Sequence, residues 1–179
     1  MRHKTKQDVR MLSLILVSLL SMQVFAQTMP EASTTRYTSP DNSVIAIVRS
    51  KKAPEATTDS RIELRSQSGK LLVRRNYSSE DGEHGYGVVK ATWTPDSQFF
   101  VYSLESSGGH QSWHSRVEFY GRKQHKILSL DDALHDAVNN PPFVISAPDR
   151  VTVELEFGKR QMTISLSTLK QSTQKQVTR

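Results

Sequence analysis

The residues best suited to chemistry in this sequence lie close together, in Gly108-Gly109-His110-Gln111-Ser112-Trp113-His114, with Arg116 two positions further on. Two glycines let backbone approach a ligand closely. An indole gives a stacking face, and two imidazoles give donors, acceptors or metal ligands near neutral pH. His110, Trp113, His114 and Arg116 therefore form the candidate contact set for a ligand or partner. The plainer reading is a long hairpin connection whose Trp113 folds back onto a sheet, since most large aromatics are buried for packing. The exposure of Trp113 separates the two.

The same residues frame two other chemistries. Zinc needs three or four ligands converging on one point. His110 and His114 with His84, or with Glu80, Asp81 or Glu83, would supply them. The i, i+4 spacing of the two histidines places them together only on a helix, and Gly108-Gly109 argues against one. A Ser–His–Asp hydrolase would need a nucleophile elbow, and no Gly-x-Ser-x-Gly occurs. No glycine-rich loop precedes a helix to cradle phosphate. Asp131, Asp132, His135 and Asp136 fall on a short helix, where early acids favour the dipole and face solvent. No catalytic residue, cofactor or metal ligand is assigned.

The elements that must position the loop are strands. Of 179 residues, 36% are apolar and 23% charged, which fits a small β domain with exposed loops and a polar tail. Cysteine is absent, which excludes disulfides, thiolate metal sites, a cysteine nucleophile and a lipidated N-terminal cysteine. Residues 1–26 read as a secretory signal: a basic leader (Arg2, Lys4, Lys6, Arg10), an apolar run from Met11 to Leu20, and Val24-Phe25-Ala26 before a cleavage point at Gln27. The run is about half the roughly 20 residues that span a bilayer, so no stable span is expected after cleavage. With four basic residues and one acid removed, the formal charge of +6 falls to +3. The remaining basic residues are scattered without a run of five, so no clustered positive face and no nucleic-acid partner are expected.

Residues 27–36 read as a flexible lead-in, 37–169 as the β domain and 170–179 as a disordered tail. Within the domain, Val44 to Val48 and Phe99 to Leu104 are apolar on both faces and require cover on both sides. Arg61 to Arg65 and Arg116 to Tyr120 alternate. In Val88 to Trp93 the alternation puts Val89, Ala91 and Trp93 on the inner face. Ser129 opens a helix that Asn139-Asn140-Pro141-Pro142 stops. Val151, Val153, Leu155 and Phe157 alternate inward, followed by a Gly158-Lys159 turn and Met162, Ile164 and Leu166.

One phrase recurs: Ser39-Pro40-Asp41-Asn42-Ser43-Val44-Ile45-Ala46, then Trp93-Thr94-Pro95-Asp96-Ser97-Gln98-Phe99-Phe100-Val101-Tyr102, then Ala147-Pro148-Asp149-Arg150-Val151. The prolines stand 55 and 53 residues apart. Such a period marks one small antiparallel sheet per unit. The phrase resembles the W-S-P-D-G-x-x-I/L-A/V-F/Y signature of TolB-like β-propeller blades, over roughly residues 37–166. Asn42, Ser97 and Arg150 stand where the family has glycine. The resemblance implies a scaffold whose loops bind a protein or peptide. Closed propellers have 4–8 blades; two to three units imply an open arc, a closed-up sandwich or a homo-oligomer. The expectation is an all-β fold of antiparallel sheets in two to three blade-like units with one short helical insertion. The expected role is an exported, non-catalytic binding or scaffold module; the alternative is a small exported enzyme or metal-binding protein.

Overall fold

A computed structural model describes residues 32–51, 59–80, 84–109, 113–139 and 143–169. The expected leader and tail lie outside them. Among the described residues eleven strands run β1 (Ala32–Thr38), β2 (Val44–Lys51), β3 (Ser60–Ser66), β4 (Leu71–Asn76), β5 (Tyr86–Trp93), β6 (Phe99–Ser106), β7 (Arg116–Gly121), β8 (Lys126–Ser129), β9 (Phe143–Ser146), β10 (Arg150–Leu155) and β11 (Arg160–Ser165). Among the described residues a single α-helix, α1 (Leu130–Leu134), separates β8 from β9. The strands form three antiparallel sheets in the orders β1-β2-β3-β4, β5-β6-β7-β8 and β11-β10-β9. These are the blade-like units that the repeat requires. Among the described residues no helix is long and apolar enough to cross a membrane.

The sheets stack with the second in the middle. On β6, Phe100, Tyr102 and Leu104 pack with Val44, Ala46, Val48, Ile62 and Leu64 of the first sheet. Phe99 and Val101, on the opposite face of the same strand, pack with Phe143, Val151, Val153 and Leu155 of the third. Period-two alternation thus sends successive residues of one strand into two different cores, which is why Phe99 to Leu104 is apolar throughout.

The first two Pro-Asp corners are wired alike. Ser39 Oγ donates to Asp41 Oδ1 at 2.6 Å and accepts from Val44 N at 3.1 Å. Thr94 Oγ1 donates to Asp96 Oδ1 at 2.6 Å and accepts from Phe99 N at 3.0 Å. Asn42 and Ser97, each directly after the corner aspartate, have φ of 59° and 64°. The third corner departs from this. Ala147 has no hydroxyl, Arg150 enters β10, and Asp149 instead accepts from Ser165 Oγ and from Ser167 N at 2.8 Å. The corners also hold one another. Asp41 N donates to Ser97 Oγ at 3.1 Å, Arg122 bridges Asp41 Oδ2 (2.6 Å) and Ser97 O (3.1 Å), and Asp96 N donates to Pro148 O at 3.3 Å.

Several local expectations are corrected. Residues 32–36, expected as part of a flexible lead-in, lie in β1 and pair with β2 from Ala32↔Lys51 to Arg36↔Ile47. The polar composition of β1 reflects its place at a sheet edge with one wet face. Val89 is not inward: the register slips between Val88 and Lys90, so Val88, Ala91 and Trp93 share the core face and Val89 is half exposed. Helix α1 ends at His135, in the left-handed region at φ 54°, well before Pro141. Strand β10 ends at Leu155, and Phe157 turns outward.

Candidate functional site

Trp113 is exposed, at 41%, so it is not core. Its indole lies 5.0 Å from the ring of Phe157 and 5.5 Å from the imidazole of His114. Phe157 is 71% exposed. Two large rings thus pack against each other, tilted by 43°, at the surface instead of under a sheet.

The backbone beneath them is fixed on both sides. His114 forms an isolated antiparallel bridge with Asn139, and Ser115 N donates to Val138 O at 3.0 Å. Asn139 is buried and binds the hairpin twice: its N–H donates to Glu154 O at 2.8 Å, and its side-chain Oδ1 accepts from Phe157 N at 2.7 Å. Asn139 therefore links the Trp113 segment to the tip that carries Phe157.

That tip is strained. Glu156, Phe157 and Gly158 have φ of 53°, 57° and 80°, three consecutive left-handed residues. Only the glycine is at ease there; an L-residue held in this region costs about 1–2 kcal/mol. Arg160 braces the tip, with Nε 2.9 Å from Glu156 Oε1 and a terminal nitrogen 2.6 Å from Asp136 Oδ2. Strain on an exposed aromatic, maintained by a buried asparagine and an arginine clamp, is a common mark of a contact site.

His114 Nε2 lies 2.8 Å from Asp131 Oδ2. Asp131 also accepts a long bond from Val117 N at 3.5 Å. Burial raises the Asp131 carboxyl above the ordinary carboxylate value, and the bond from His114 opposes that rise. Asp131 is therefore not on a solvated helix face as expected: its side chain is 15% exposed and lies against His114 and Val117 of β7, while Ser129 caps α1 by accepting from Asp132 N at 3.2 Å.

Of the four expected contact residues, the fold brings Trp113 and His114 together. Arg116 belongs to the other face of the second sheet: its guanidinium lies 2.9 Å from buried Glu118 and 6.0 Å over the Tyr86 ring, on the side of the first sheet. His110 lies outside the described residues, as do Asp81 and Glu83. Among the described residues no group of three or more His, Asp or Glu side chains converges as a metal site would require. Sequence reading places Phe157 on the inner face because the alternation carries on up to the Gly158-Lys159 turn; in the structure β10 ends at Leu155 and the turn starts two residues earlier, at Glu156. Asn139 gave no signal, since its role is set entirely by tertiary contacts.

Comparison with protein-family models gives no match, and comparison with curated proteins gives no relative.

Proposed function

We propose that this chain is an exported, non-catalytic binding or scaffold module, a partial array of TolB-like blades that takes a protein or peptide partner on Trp113 and Phe157. One observation carries the reading: two exposed aromatics in contact at 5.0 Å, one of them on a left-handed turn that its own side chain disfavours. Rigid exposed aromatics dominate protein interfaces because they bury much area for little lost conformational freedom. His114, Asp131, Asp136 and Arg160 supply a polar rim around them. Export rests on the basic leader, apolar run and small residues of positions 1–26.

The test is photo-crosslinking in the cell envelope, with p-benzoylphenylalanine in place of Phe157 and, as control, of Val144, which is 63% exposed on β9. A discrete protein adduct at 157 and none at 144 supports the reading. Equal labelling at both positions, or no adduct at 157, overturns it. The His114–Asp131 pair favours the runner-up, a small exported enzyme or metal-binding protein. Turnover or bound metal lost on His114→Ala, with the adduct at 157 retained, would establish that instead.

A further inference from the structure

Five of the arginines scattered along the sequence, Arg36, Arg49, Arg61, Arg65 and Arg74, gather on the outer face of the first sheet. Arg36, Ile47, Glu63 and Arg74 lie side by side across all four strands. Arg49 and Arg61 are opposite each other in the next row, and Arg65 stands one row to the other side, opposite Ile45. The expectation of no clustered positive face is thereby corrected: neighbours two apart along a strand and about 4.8 Å apart across strands are distant in sequence. Five guanidiniums against one carboxylate leave this face at +4, more than the +3 of the chain after residue 26. Without this face, that part of the chain carries −1.

The same arginines already show what they bind. Glu63 is buried among them. Arg65 grips its Oε2 through Nε at 3.0 Å and a terminal nitrogen at 2.8 Å, while Arg49 and Arg74 each lie 3.1 Å from Oε1. Each guanidinium has five N–H donors, so most remain available. No carboxylate engages Arg36 among the described residues, and the nearest approach of Arg61 to Glu63 is 3.9 Å. Exposed Leu71, opposite Arg65, adds an apolar flank.

We propose that this face docks an acidic segment of a partner protein, its carboxylates seated between Arg36, Arg49, Arg61 and Arg74. Arginine's planar fork suits paired carboxylate oxygens. A second copy of the chain is disfavoured by the repeat itself. At the equivalent positions 55 residues on, the second sheet presents Tyr102 where the first has Ile47, and Tyr120 where it has Arg65; that aromatic face is the one covered by another sheet. Arginines replace the layer that would receive a further sheet. Single-stranded nucleic acid is disfavoured because the face carries no ring on which bases could stack, among the described residues.

The experiment is fluorescence anisotropy of the chain from Gln27 with a labelled oligo-glutamate peptide, against a labelled oligothymidylate of equal charge, at low salt and at about 0.3 M. The peptide is expected to bind at low salt, weaken at high salt and outcompete the oligonucleotide. Arg36→Gln with Arg61→Gln, chosen because neither holds Glu63 closely, is expected to weaken it about tenfold with the melting temperature unchanged. Trp113→Ala with Phe157→Ala is expected to leave it unchanged. Absence of peptide binding, tighter binding of the oligonucleotide, undiminished binding by the arginine variant, or loss in the aromatic variant would each overturn the proposal.

Discussion

Replacing Phe157 by glycine should leave the protein more stable than replacing it by alanine. Both changes remove the same ring and the same contact with Trp113, so those losses cancel between the two variants. What remains is the backbone. At φ 57° an alanine keeps the left-handed penalty of about 1–2 kcal/mol, and a glycine does not. Glycine's greater freedom in the unfolded chain returns about 0.5–1 kcal/mol of that advantage. The expected net is about 0.5–1 kcal/mol in favour of Phe157→Gly, or roughly 1–4 °C in melting temperature for a domain of this size. Urea unfolding of the two variants, compared by midpoint at equal slope, reads the difference directly. At an ordinary position the order is reversed, with alanine more stable. An alanine variant as stable as the glycine variant, or more so, would refute the strained tip and with it the argument that the turn is maintained for contact.

Glu63 is held down at about 2, first by hydrogen bonding from Arg65 and then by Arg49, against burial that acts the other way. A folded value below the ordinary 4.5 means that its contribution is complete above pH 4.5 and is lost as pH falls through about 2. Acid titration of stability should therefore show a fall in that window which Glu63→Gln flattens. Gly85→Ala would place a methyl group 2.0 Å from the Oδ1 of buried Asp59 and should destabilise by about 1–3 kcal/mol; in urea midpoints, Asp59→Ala in the same chain should recover part of that loss. Phe100→Ala and Phe99→Ala should each cost about 3–5 kcal/mol in denaturant unfolding, because each empties a different inter-sheet core. His114→Ala should raise the Asp131 carboxyl further, since it removes the bond that opposes burial; a carboxyl-carbon NMR titration would follow it.

The architecture was legible in the sequence where local chemistry and repetition agreed. Ser39-Pro40-Asp41 and Thr94-Pro95-Asp96 carry their own wiring, hydroxyl to carboxylate to backbone, so the pattern alone locates two corners. The apolar run Phe99 to Leu104 marks the strand that lies between two sheets, whereas Val44 to Val48 has a sheet on one face and, around Ile45 and Ile47, the arginine layer on the other. The third corner was less legible, because Ala147 lacks the hydroxyl and Asp149 finds partners 16 and 18 residues away. Val89 misled because a bulge reverses the phase of alternation and leaves no trace in composition. The loop around Trp113 was found from residue types, but its partner ring was not: the contact between positions 113 and 157 depends on how the second and third sheets stack. The arginine face was hidden for the same reason, since cross-strand register assembles it.

The most direct measurement of the account is calorimetric. The partner recovered by crosslinking at position 157 is titrated into the intact chain and into Trp113→Ala/Phe157→Ala, with both shown to unfold cooperatively. Loss of a two-ring hot spot of 2 kcal/mol or more weakens binding by about thirtyfold or more, and that is the expected result. Affinity within about threefold of the intact chain would contradict the account, for the exposed rings would then be surface without a partner.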